Sequence, residues 1–155
     1  MSTTSSSTTT DPSETIRQGS CLCKSVQFQV KGEPVHYLLC HCKNCQKASG
    51  GGFMMNVWFK DENFTIKAGK ELIKVFYDPN TDTGKPLGRY FCSNCGSNVY
   101  FRMSPELARS DIYIVQGPTI EGSEVWFPRK ESHPENKLQF VGHIETRAKE
   151  KKSKL

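Results

Sequence analysis

Seven cysteines constrain this 155-residue chain more than any other feature. They stand in three ordered clusters: Cys21-Leu22-Cys23, Cys40-His41-Cys42-Lys43-Asn44-Cys45 and Cys92-Ser93-Asn94-Cys95-Gly96. An odd number cannot all pair as disulfides within one chain. No apolar leader segment follows Met1, so an oxidising compartment is not expected. In a reducing compartment, clustered thiols point to metal or to catalysis. Hydrophobic residues make up only 35% of the chain. The expected core is therefore thin, and metal staples are expected to supplement it.

The spacings suggest two sites. In Cys92-x-x-Cys95-Gly96 one tight turn presents two thiols, and Gly96 can take the positive φ such a turn often needs. Cys21 and Cys23, two apart, lie on one face of an extended chain. Each pair is a half-site. Together they make a four-sulfur tetrahedron with Zn–S distances of about 2.3 Å. Such a site ties the first strand to a turn some seventy residues later. Cys40, Cys42 and Cys45 place three thiols within six residues. Three protein ligands on Zn²⁺ leave a fourth position for water or substrate, the pattern of a catalytic zinc. His41 points away from Cys40 and Cys42 if the chain there is extended, and is read as a hydrogen-bonded structural residue.

Spacing leaves a second partition open. Cys42 and Cys45 could join Cys92 and Cys95 in a zinc-ribbon-like site, leaving Cys21, Cys23 and Cys40 spare. The 46 intervening residues exceed the usual ribbon spacing. The four-plus-three partition also leaves no cysteine unused. The plainer alternative for both sites is a purely structural role.

The rest of the chain reads as mainly β. Val26, Phe28 and Val30 alternate with glutamines, as a half-buried strand does. Strands are also expected over 35–39, 53–59, 64–66, 72–77, 88–91, 99–102 and 112–115. Only 42–48 and 104–109 suit short helices, the latter from Ser104-Pro105-Glu106, a cap residue before a proline. Residues 1–15 hold eleven Ser/Thr and no apolar residue beyond Met1. A disordered tail over 1–16 is expected there. A folded domain follows over 17–145, and a basic tail over 146–155. No run of about 18 apolar residues exists, so no membrane-spanning helix is expected. Of the formal charge of +5, a net +3 belongs to the segment from Glu145 onward. The near-neutral remainder carries no footprint for nucleic acid. Trp58, Trp126 and Phe127 read as core or rim, and Gly50-Gly51-Gly52 as a loose turn or a close approach to a ligand.

Three motifs together carry a resemblance. Gly19-Ser20-Cys21-Leu22-Cys23-Lys24-Ser25-Val26, Cys40-His41-Cys42-x-x-Cys45-x-x-Ala48-Ser49-Gly50 and Arg89-Tyr90-Phe91-Cys92-x-x-Cys95-Gly96-Ser97 stand in that order. They resemble the glutathione-dependent formaldehyde-activating family, which includes centromere protein V-like proteins. The similarity covers about residues 17–130. It fades after Gly117, where Gly117-Pro118-Thr119-Ile120 replaces the family's commoner small-Leu-Asp stretch. The resemblance implies a β-rich Mss4-like fold of short antiparallel strands, stapled by two zinc ions. Cys21, Cys23, Cys92 and Cys95 match the family's structural site. Cys40, Cys42 and Cys45 match its catalytic site. The implied activity is that of a carbon–sulfur lyase acting on an adduct of a thiol with an aldehyde. Its named form joins glutathione to formaldehyde as S-hydroxymethylglutathione. The alternative is a non-catalytic zinc module that binds a protein partner.

The chain ends Ser153-Lys154-Leu155. This tripeptide at a free carboxyl terminus is the peroxisomal import signal. Residence in the peroxisome, through its import receptor, is expected, with the cytoplasm as the alternative.

Overall fold

The structure, a computed structural model, describes residues 11–148. Ten strands in two sheets and one α-helix make up its regular structure. The small sheet has the order β1 (Ile16–Ser20), β2 (Gln27–Lys31) and β5 (Phe64–Ala68). The large sheet contains β3 (His36–Cys40), β4 (Met54–Lys60), β6 (Ile73–Asp78), β7 (Leu87–Cys92), β8 (Asn98–Met103), β9 (Ile112–Gln116) and β10 (Lys130–Ser132). Its order is β10-β3-β4-β9-β8-β7-β6. Every pairing is antiparallel except β10 with β3.

Period-two alternation explains why the large sheet has two buried faces. On β3 and β4 the residues Tyr37, Leu39, Val57 and Phe59 face the small sheet, where they meet Phe28, Val30 and Phe64. Leu38, Cys40, Met54 and Trp58 point the other way and join Phe101, Ile112 and Ile114 in a second cluster. Burial of a side chain such as Phe28 or Phe59 stabilises by about 1.5–3 kcal/mol. The first face is the packed core, and the second is the floor of a site.

Eight of the ten strands fall where alternation and turn residues place them. Two do not. β10 is only Lys130-Glu131-Ser132, with no apolar pattern; it forms because β3 offers a free edge. Arg129 N donates to Tyr37 O and His41 N to Ser132 O, at 2.8 and 2.9 Å. β1 has one large apolar residue and forms as the partner of β2. The helix expected over 42–48 is α1, Lys43–Ser49. The helix expected over 104–109 is absent. That segment makes isolated turns, with Leu107 N on Ser104 O and Ser110 N on Leu107 O. Six residues with no buried face cannot offset helix nucleation.

Asp11 caps a 3₁₀ turn at Pro12–Glu14, and Ile16 opens β1 one residue ahead of the expected domain start. Gly32 N donates to Thr15 O at 2.7 Å, and Lys31 pairs with Glu14 at 2.8 Å. β2 runs far enough to hold this segment. At the other end Arg147 N donates to Pro128 O, and its guanidinium stacks 3.4 Å from the Phe127 ring centre. The start of the expected basic tail is thus docked. Residues 1–10 and the Ser153-Lys154-Leu155 terminus lie outside the described residues. No helix of the described residues is long and apolar enough to cross a membrane.

Candidate metal centres

Two sulfur clusters form, and they divide four and three. Cys21 follows β1 and Cys23 lies in the turn to β2; Cys92 ends β7 and Cys95 lies in the turn to β8. The four sulfurs lie within 4.8 Å of one another. Cys21 Sγ is 3.5 Å from Cys23 Sγ, which is 3.9 Å from Cys92 Sγ. A zinc tetrahedron with Zn–S of about 2.3 Å requires sulfur separations of about 3.8 Å, so these residues fit the ion. Gly96 has φ +74°, as the tight turn requires. Val26 N and Asn94 Nδ2 donate to Cys21 and Cys23, both at 3.3 Å. Such N–H donors favour thiolate. Burial pushes Cys21 up to about 11. Hydrogen bonds with Ser25 hold Cys23 at about 5, and those with Ser97 hold Cys95 at about 7. The ribbon-like pairing of Cys42 and Cys45 with Cys92 and Cys95 does not form.

The second cluster lies where β3 runs into α1. Cys40 ends the strand. Cys42 is the helix N-cap, its sulfur accepting from Cys45 N at 3.4 Å. Gly50, at φ +66°, closes the helix by donating to Gln46 O. This one-turn geometry brings the three sulfurs within 4.8 Å of each other, and among the described residues no His, Asp or Glu joins them. The hydrogen bond with Cys45, and then burial, raises the Cys40 thiol. The same bond, aided by Cys42 and the nearby Arg89 charge, lowers Cys45 to about 6. Burial raises Cys42. Three thiols this close cannot all ionise unless a cation neutralises them. A soft dication suits this donor set.

The three sulfurs open on a cavity of about 680 Å³ in the second face of the large sheet. Leu38, Trp58, Ile114 and Met103 line it, with Asn56 and Arg89 as buried polar members. Arg89 Nε and Nη2 both donate to Asp78 Oδ2 at 2.9 Å. Asn44 Nδ2 donates to both Asp78 oxygens at 3.0 and 2.9 Å, tying this pair to α1. Arg89 Cζ sits 4.7 Å above Phe101. Sequence reading treated Asn44 as a spacer and Arg89 as one letter of a motif. The only signal for Arg89 was a charge inside an otherwise apolar strand.

His41 takes no part in the cluster. It is fully buried on the opposite side, with Nε2 2.7 Å from Glu131 Oε2 and its ring 5.5 Å from Phe53. Trp126 donates to Glu33 and packs on Phe59, as a rim residue. A larger cavity, about 1030 Å³, opens on that opposite face beside Tyr37, Phe53 and Trp126. Its wall holds no thiol cluster, only Cys21 of the four-sulfur site. Of the two, the smaller cavity is the one that meets a complete thiol cluster.

Known proteins resemble this chain. A Rhodobacter sphaeroides protein of solved structure superposes with a TM-score of 0.55 at 16% identity, over 74% of this chain and 99% of that one. That is a likeness of fold. An uncharacterized lyase of Schizosaccharomyces pombe is 26% identical over 89 residues, 54% of this chain and 56% of that protein. The chain thus spans a little over half the length of that relative. The model of the glutathione-dependent formaldehyde-activating enzymes matches residues 16–136, a span that contains both sulfur clusters and all ten strands. The chain belongs to the glutathione-dependent formaldehyde-activating enzyme family, within the Mss4-like superfamily.

Proposed function

We propose that this chain is a zinc-dependent carbon–sulfur lyase that interconverts a small thiol plus an aldehyde and their S-hydroxyalkyl adduct. Glutathione and formaldehyde, with S-hydroxymethylglutathione as the adduct, are the pair the family's description suggests. One observation carries the reading: three sulfurs group on the wall of a cavity with no fourth protein ligand among the described residues. A closed four-ligand site would have favoured the partner-binding module. The four-sulfur site is read as structural zinc and the three-sulfur site as the reactive one, two ions per chain.

When bound in the second site, zinc supplies a soft Lewis acid that favours the thiolate form of a small thiol. The chain's own residues do the rest. Cys40, Cys42 and Cys45 approach from one side and leave the cavity side free. Leu38, Trp58, Ile114 and Met103 give the floor an apolar lining, which strengthens polar interactions beside it. Lys43, Arg109 and Lys130 on the wall suit the carboxylates of a thiol such as glutathione. Import into the peroxisome through Ser153-Lys154-Leu155 belongs to the same proposal.

The test joins metal content to exchange kinetics. Purified chain should hold two zinc ions. It should speed exchange between free glutathione with formaldehyde and the adduct, followed by nuclear magnetic resonance. S-methylglutathione should not replace glutathione as a ligand. One zinc per chain with three freely titratable thiols, or no acceleration over the spontaneous rate, returns the chain to the partner-binding reading.

A further inference from the structure

Three buried polar side-chain atoms among the described residues have no hydrogen-bond partner: Arg89 Nη1, Trp58 Nε1 and His41 Nδ1. Arg89 and Trp58 both line the three-sulfur cavity. They also lie in one cross-strand row of the large sheet. Arg89 faces Phe101, Phe101 faces Ile114, and Ile114 faces Trp58. Leaving a buried N–H unmatched is unfavourable, so native structures rarely keep one without a use. Both unmatched atoms in this wall are donors. The occupant that completes the wall must bring acceptors.

Arg89 is the more constrained of the two. Its side chain is 8% exposed. Asp78 holds Nε and Nη2, and Asn44 and Asn80 hold Asp78. The guanidinium is thereby fixed from behind; Nη1 meets no partner at hydrogen-bond geometry, although the group lies close enough to Cys45 to act on its thiol by charge and by hydrogen bonding. A guanidinium does not ligate metal and does not lose its proton, so Nη1 can act only as a donor. A permanent carboxylate placed there would meet Asp78 and the sulfur cluster, both anionic. An aldehyde oxygen enters neutral and becomes anionic only as the bond to sulfur forms. A preorganised donor contributes most to rate at such an oxygen.

Resting on the lyase reading above, we propose that Arg89 Nη1 is the hydrogen-bond donor for the aldehyde oxygen in this site. As the thiolate sulfur lone pair forms the carbon–sulfur bond, the carbonyl π pair moves to oxygen, and Nη1 stabilises the resulting alkoxide. Water then supplies its proton, giving the hydroxyalkyl thioether. In reverse the hydroxyl proton leaves to water, the carbonyl re-forms, and the carbon–sulfur pair returns to sulfur. The guanidinium keeps its proton throughout. Its role supplements the metal, whose Lewis acidity three thiolate ligands weaken.

Two ligands of nearly equal shape isolate the donor. 2-Mercaptoethanol and 1-propanethiol differ by one hydroxyl in place of a methyl group. Calorimetry on the zinc-loaded full chain should show a preference of about tenfold for the hydroxyl thiol, a charge-assisted hydrogen bond less its desolvation. Arg89→Met should abolish the preference at unchanged zinc content. Because that change strands a buried Asp78, the neutral pair Arg89→Gln with Asp78→Asn serves as the second variant and should lose the preference too. In exchange kinetics the variants should lower the saturated rate by about 10²-fold with glutathione affinity unchanged. If glutathione affinity falls instead and the saturated rate survives, Arg89 holds a carboxylate and the proposal is overturned. A hydroxyl preference that survives both variants overturns it as well. The underlying lyase reading fails by a different result, the absence of exchange with the wild-type chain.

Discussion

Glu131 shows how one side chain can stabilise a site without touching it. Lys137 Nζ lies 2.8 Å from Glu131 Oε2, and His41 Nε2 lies 2.7 Å from the same oxygen. The bond from Lys137, and after it that from His41, lowers the Glu131 carboxyl below its ordinary value. A depressed carboxyl contributes stability above its unfolded pKa and loses it as pH falls through the folded one. Glu131→Gln should therefore melt at lower temperature at neutral pH. The gap from the wild-type chain should close as pH drops below about 4.5, the ordinary range of a glutamate. Protonation of the thiols releases metal in acid too, so the difference between the two chains is the quantity to measure. A gap independent of pH would show that Glu131 acts by packing alone. His41 itself fits its sequence reading as a structural residue. Its partner ninety residues away could not be read from the sequence.

At the scale of elements, β1 and β2 depend on a close approach. A Cβ added to Gly19 would lie 2.3 Å from the Phe28 ring, which is fully buried between the sheets. Gly19→Ala must push that ring aside and should destabilise the chain by about 1–3 kcal/mol, read by denaturant unfolding. Phe28→Leu in the same background should recover part of the loss. A neutral Gly19→Ala would mean that the small sheet slides freely over the core. Elements with their own signal were legible: β2 by alternation, and α1 as a short helix over 42–48. β10 and the turns over 104–109 were not. In both, neighbouring chain rather than local propensity decides the conformation.

At the scale of the molecule, the two sulfur clusters are expected to carry different structural weight. The four-sulfur site joins the end of β1 to the end of β7, and so links the two sheets. Cys92 is completely buried there. Cys92→Ser should leave the chain insoluble or unfolded, because binding free energy at a structural zinc, about 10–16 kcal/mol in small zinc domains, is folding free energy. Cys42→Ser should leave it folded. The lost ligand closes only a short loop, and serine is itself a favoured N-cap, so α1 keeps its start. Equal loss of melting temperature in the two variants would contradict this difference. The terminus makes a separate prediction. With an N-terminal fluorescent tag, deletion of Ser153–Leu155 should move the protein from peroxisomes to the cytosol without changing its melting temperature. A diffuse signal from the intact chain would refute the address.

The sequence alone determined the donor type and its three ordered clusters, and much of the β pattern. Cysteine spacing is local, and the alternation of Phe28 and Val30 with glutamine reports a half-buried strand directly. It also placed a short helix over 42–48, where α1 forms as Lys43–Ser49. Only the tertiary structure decided the partition of the sulfurs, since Cys21 and Cys92 meet through sheet topology. It alone placed the three-sulfur cluster on a cavity. It also set Arg89, Asp78 and Asn44 in one network, although they come from β7, β6 and α1. Strand order brings those residues together, and no periodicity within a single segment encodes strand order.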